Sequence, residues 1–128
     1  DQAAKLGLTE KVHFLGPIAP DALKWPLSAA DIFVLSTRNE GWANVILEAM
    51  ACGVPVVASD VGGNAEVVSS PELGAIVPFD DQSALTTTLD QALTRQWGQQ
   101  SIRAYAVENS WDNRVVTLVN VFTRTLNE

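Results

Sequence analysis

A single cysteine among 128 residues excludes an internal disulfide. No apolar run approaches the ~18 residues a membrane span needs, so the expectation is a cytoplasmic chain. Positive charge is scarce: eight Lys and Arg stand against fifteen Asp and Glu, for a net charge of −7, which argues against a nucleic-acid partner. With one histidine and one cysteine, no His/Cys/Asp cluster supports a metal. No G-x-G-x-x-G follows a strand pattern, which weakens a dinucleotide-binding reading. The opening DQAAKLGLTE has neither Met nor signal-peptide character and reads as the tail of a helix that began earlier.

What is present is an alternation. KVHFLG (11–16), DIFVLS (31–36), VPVVAS (54–59) and GAIVP (74–78) are short β-branched runs, continuous in the manner of strands covered on both faces. Helical periodicity separates them over 20–29 and 44–52, with a short turn near 64–69 and long helices from 82 onward. The order predicts an α/β fold, a Rossmann-like parallel sheet sandwiched by helices, with about four strands in one domain over 1–128. Gly53 and Pro55 mark a helix stop and a strand start, so the central helix should end near Cys52. Leu85, Leu89, Ala92 and Leu93 form one stripe, and Val115, Leu118, Val119, Phe122 and Leu126 another, predicting that each C-terminal helix buries one face. Trp25, Trp97 and Trp111 are expected to pack helices, His13 to be a structural residue within its strand, and Cys52 to belong to the core.

The stretch NEGWANVILEAMACGVPVVASDVGG concentrates the chemistry. It puts Glu40 in the loop after a strand and Glu48 about one turn inside the following helix, ~6 Å along the axis at the usual rise. Asn44 is placed to cap that helix. A helix amino end with free N–H groups, at the carboxyl edge of a parallel sheet, suits a phosphate. An ionised carboxylate accepts from paired sugar hydroxyls, so one Glu on each side of the phosphate suits a sugar nucleotide. Gly41 lets backbone come close to a ligand, and Trp42 anchors the loop or walls the pocket.

EGWANVILEAMACGVPVVASDVGGNAEVV resembles the E-x7-E signature and Gly-Gly loop of retaining GT-B glycosyltransferases, the family 4 or group 1 enzymes. KVHFLGPIAPDAL is similar to the third strand region of their donor-binding domain, and SWDNRVVTLVNVF to its closing helices. The resemblance implies a partial C-terminal domain whose intact enzyme transfers a sugar from a nucleoside-diphosphate donor with retention. It implies Glu40 beside the transferred sugar, Glu48 on the ribose, the amides of Gly41, Trp42, Ala43 and Asn44 at the sugar and diphosphate, and Gly62 and Gly63 lining the crevice. It implies no metal or other cofactor, the donor being the substrate. The family often has glycine or proline where Ala43 and Asn64 stand here.

The Arg and Lys with which such enzymes neutralise the departing diphosphate would lie in a segment ahead of Asp1, and the nearby cations here are Arg38 and Lys24. An N-terminal acceptor domain is the implied missing partner, and the 128 residues alone are expected to be inactive. The intact enzyme would sit in the cytoplasm or peripherally at the inner membrane face. In the strand order 3-2-1-4-5-6, strand 11–16 loses its neighbours, so it should either shift onto strand 31–36 or pair with a second chain across the open edge. Glu66 either touches the site or orients the Gly-Gly loop. Two rivals remain at this point: a sugar-nucleotide epimerase of the same architecture, and a noncatalytic α/β nucleotide-binding or interaction module.

Overall fold

The computed structural model describes residues 2–126. Elements follow in the order α1 (Gln2–Lys5), α2 (Pro20–Ser28), β1 (Phe33–Leu35), α3 (Asn44–Ala51), β2 (Val56–Ser59), α4 (Asn64–Val67), β3 (Gly74–Val77), α5 (Gln82–Thr94), α6 (Gln99–Glu108) and α7 (Trp111–Leu126). The three strands form one parallel sheet in the order β1-β2-β3. Phe33 pairs with Val56, and Val56 in turn with Gly74.

Strand β2 is central, and all four of its residues are buried. Its pleat sends alternate side chains to opposite faces. Val56 and Ala58 join Ile46, Ala49 and Met50 of α3, Val67 of α4, and Ile102 and Ala106 of α6 in the larger core. Val57 joins Val77 and Ala92, with Leu85 and Leu89 of α5 packed beside them, in the smaller core on the other face. Burial on both sides is why the strand reads as an unbroken apolar run.

Helix α3 is terminated by its glycine. Gly53 takes φ of +79°, its N–H donates to the Met50 carbonyl at 2.8 Å, and the Val54 N–H donates to the Ala49 carbonyl at 3.1 Å. This is the Schellman arrangement, which reverses the chain within two residues and feeds it through Pro55 into β2. At the start of α5, Asp81 caps the helix by accepting from the Ala84 N–H at 2.8 Å.

Several expectations fail. Residues 11–16 form no strand, leaving three strands instead of four; Phe14 and Leu15 are 78% and 65% exposed, and His13 lies in the open instead of within a strand. Within the chain the segment has not shifted onto β1. A strand exists only through cross-strand hydrogen bonds, so a β-branched run without a neighbour remains irregular. Helix α7 buries no residue, so Val115, Leu118, Val119, Phe122 and Leu126 all face outward, and Leu93 of α5 does too. Trp25 and Trp111 are likewise exposed, whereas Trp97 packs on the core with its Nε1–H donating to the Ala92 carbonyl at 2.9 Å. Finally, the cap position of α3 is Ala43, and Asn44 is the first helical residue with no capping side chain.

Because Gly53 holds a left-handed conformation and a Cβ there would lie 3.3 Å from Gln99, Gly53→Ala is expected to cost about 1–2 kcal/mol. Equilibrium denaturant unfolding would show the midpoint falling with an unchanged slope.

Candidate functional site

The site is assembled where β1 and β2 end. After Leu35 the chain enters a loop whose first turn is tied to β2: Ser59, buried at the last position of that strand, donates its hydroxyl to the Thr37 carbonyl at 2.7 Å. Asn64, fully buried, donates its Nδ2 to the Ser59 carbonyl at 3.0 Å. The ends of two neighbouring strands and the start of α4 are thereby fixed to one another.

Beyond Thr37, the Glu40–Gly41 turn meets the Gly62–Gly63 loop backbone to backbone. The Gly63 N–H donates to the Gly41 carbonyl at 2.9 Å. Gly62 has φ of +51°, and a Cβ built on it would lie 1.8 Å from the Glu40 carbonyl oxygen. At Gly63 a Cβ would lie 2.8 Å from the Gly41 carbonyl and 3.0 Å from the Trp42 ring. No side chain larger than hydrogen fits at either position without moving the turn. The two loops that the sequence marks as parts of one crevice are therefore in direct contact.

Trp42 is half-buried against the larger core, and the Arg114 guanidinium lies 4.3 Å from its ring centroid. Ala43 is buried, and α3 begins at Asn44 without a side-chain cap. The Asn44 and Val45 N–H groups consequently keep their donor capacity, the Ile46 N–H donating to the Ala43 carbonyl at 3.0 Å, and the helix adds about half a positive charge at that end. Glu40 is half-buried in the loop. Glu48 is exposed one turn into α3 and lines two cavities. One of about 250 Å3 is shared with Asn44, Asn109 and Trp111; the other, of about 220 Å3, with Leu23, Lys24 and Cys52. Cys52 packs against the core as expected. Among the described residues neither Glu40 nor Glu48 is held in an ion pair or a side-chain hydrogen bond, leaving their oxygens free to accept.

A further cavity of about 240 Å3 opens at the carboxyl ends of the strands, lined by Ser36, Ser59, Phe79 and Asp81 among others. Arg38 stands 5.7 Å from the Phe79 ring centroid, on this side of the sheet edge. Lys24 stacks 5.2 Å from the exposed Trp25. Glu66 is exposed on α4, and its N–H donates to the Gly63 carbonyl at 3.1 Å. Among the described residues no group of three His, Cys, Asp or Glu side chains is gathered as metal ligands would be, and no helix is long and apolar enough to cross a membrane.

Sequence reasoning missed three participants. Ser59 looked like a strand end and Asn64 a departure from a pattern, whereas both turn out to tie the loops together. Their signal is a polar residue closing an apolar strand and another opening the next helix. Arg114 gave none, since nothing local relates it to Trp42.

Known proteins share the sequence pattern and the fold of this chain. The family described as "Glycosyl transferases group 1" matches residues 1–110. A D-inositol 3-phosphate glycosyltransferase of Salinispora arenicola is 38% identical over 124 residues, covering 94% of this chain and 28% of its own length. A glycosyltransferase of Methanocaldococcus jannaschii with no characterised activity is 36% identical, with 95% and 33% covered. Among solved structures, sucrose-phosphate synthase from Thermosynechococcus elongatus superposes with a TM-score of 0.85 at 27% identity, over 98% of this chain and 33% of that one. Anabaena HepE in complex with UDP superposes at 0.74 and 29% identity, with 98% and 35% covered. The chain thus spans about a third or less of the length of the relatives it matches. With the family pattern covering most of its length and the fold shared with GT-B enzymes, this chain belongs to the group 1 glycosyltransferases.

Proposed function

We propose that this chain is the nucleotide-sugar-binding part of a retaining glycosyltransferase that transfers a sugar from a nucleoside-diphosphate donor to an acceptor. The observation that carries the reading is the backbone contact of Gly62 with Glu40 beside the uncapped amino end of α3, which we assign as one wall of the donor crevice. In this crevice the amides of Gly41, Trp42, Ala43 and Asn44 donate to the sugar and diphosphate. Gly62 and Gly63 line the crevice by letting the Glu40–Gly41 turn close against them, because they carry no side chain. Glu40 accepts from hydroxyls of the transferred sugar, and Glu48 from the ribose hydroxyls of the nucleoside.

The reaction breaks the bond between the anomeric carbon and the phosphate oxygen and forms the new bond to the acceptor oxygen on the same face. The acceptor proton passes to the departing diphosphate, whose charge must be stabilised as it develops. No metal or cofactor is assigned to this step. The cavities beside Glu48 are each about 220–250 Å3, below the roughly 300 Å3 at which complete small-molecule pockets begin, so a second wall is required. We assign that wall, and the acceptor, to the remainder of a longer enzyme of the size of the relatives, located in the cytoplasm or at the inner membrane face. The 128 residues alone then bind donor without transferring sugar. The relatives' names favour transfer over epimerisation.

Titration calorimetry with UDP tests the assignment, and an absence of heat for the folded chain would overturn it. Glu48→Leu removes a charged acceptor worth about 1.5–3 kcal/mol and is expected to weaken UDP about tenfold or more. Glu40→Gln leaves UDP affinity within about twofold while slowing transfer in the intact enzyme, because UDP carries no transferred sugar for Glu40 to touch. Gly62→Ala forces the Glu40 carbonyl aside and is expected to weaken UDP as well, with a fold loss of about 1–2 kcal/mol or more from the left-handed backbone alone.

A further inference from the structure

Helix α7 buries no residue, and within Trp111–Leu126 only Arg114 is half-buried, exposure among the large apolar side chains ranging upward from 49% at Leu118. Its guanidinium sits 4.3 Å from the centroid of Trp42, the shortest approach of a cation to that ring among the described residues. The indole in turn lies against Gly63, where a Cβ would fall 3.0 Å from its ring, and Trp42 follows directly on the Glu40–Gly41 turn. We propose that Arg114 is a positioning residue that clamps the Trp42 indole and so holds the Glu40–Gly41 turn against the Gly62–Gly63 loop; its consequence for donor binding rests on the reading above.

The chemistry of the pair supports a contact through the ring face. The Trp42 Nε1–H is buried without a partner, and a guanidinium, which only donates, cannot accept from it. What remains is attraction of the cation to the π face, stronger where water is excluded. The approach of Arg114 is also fixed from behind. The Arg114 N–H donates to the Ser110 carbonyl at 3.0 Å, and Asn113 donates its Nδ2 to the Val107 carbonyl at 2.9 Å, locking the first turn of α7 onto the end of α6. Helix α6 packs against α3, which begins two residues after Trp42. Both partners are therefore mounted on the same packed pair of helices, while the rest of α7 contributes nothing to the core.

The test compares Arg114→Met, which keeps the bulk without the charge, with Arg114→Lys, which keeps a cation, in the full 128-residue chain. Backbone order parameters of the native state are read at Gly41, Trp42 and Gly63 by ¹⁵N relaxation. Arg114→Met is expected to lower them from the rigid value of about 0.85 towards about 0.6, while Arg114→Lys leaves them near wild type. A residue that merely adds stability would lower the unfolding midpoint and leave these native-state values unchanged, and that outcome overturns the proposal. Calorimetry with UDP on the same samples is expected to show a weakening of about three- to thirtyfold for Arg114→Met, the range of a partly desolvated cation–π contact. Should the loop loosen as expected while the wild-type chain itself gives no UDP heat, the clamp is supported and it is the donor-site reading that fails.

Discussion

The constraint on which the rest of the structure depends is the absence of a side chain at residue 62. The Glu40 carbonyl oxygen occupies the space a Cβ would need, so the loop after β1 and the loop after β2 close on each other only because hydrogen stands there. Everything upstream delivers those loops to the meeting point. The Schellman stop at Gly53 turns α3 back into β2, the buried run Val56–Ser59 sets the register with β1, and the Ser59 hydroxyl ties the strand end to Thr37. A chain that lost the register by one residue would send Val57 into the α3 face and carry Ser59 away from Thr37. Core packing and the loop contact therefore enforce one another.

Much of this was legible in the sequence because it depends on local chemistry. The strands over 33–35, 56–59 and 74–77 lie within short apolar runs bounded by turn residues, and helices α2, α3 and α5 announce themselves by period, with Gly53 marking the end of α3. What failed depends on partners. KVHFLG has the composition of a buried strand, but composition states only a preference for a covered, paired setting and supplies neither. The apolar stripe of α7 is equally real and equally uncovered. At the head of α3 the error was smaller and of another kind: Asn is a favoured cap, yet the buried Ala43 sits one position earlier and takes the cap role, leaving Asn44 inside the helix. The eight-residue spacing of Glu40 and Glu48 located the candidate site, whereas the stacking of Arg114 on Trp42 joins residues that no periodicity relates.

The charge of the chain sets the terms on which an anionic donor could be held. With a net charge of −7, the protein as a whole repels a diphosphate. At physiological ionic strength, however, fields fade over roughly 8 Å, so acids on the far side of the sheet count for little and groups within hydrogen-bond reach decide the outcome. At the proposed crevice the balance is different: the free amides and partial positive charge of α3 lie at one end, with Arg38 and Lys24 elsewhere along the same loops and helices. These short-range donors act only at close approach. Their effect therefore depends on geometry more than on charge count, and an ångström of slack in the Glu40–Gly41 turn would cost more than a distant lysine could restore. On the function proposed above, that dependence gives one purpose to the two glycines, the buried asparagine and the buried serine that fix this turn of backbone in a chain so poor in cations.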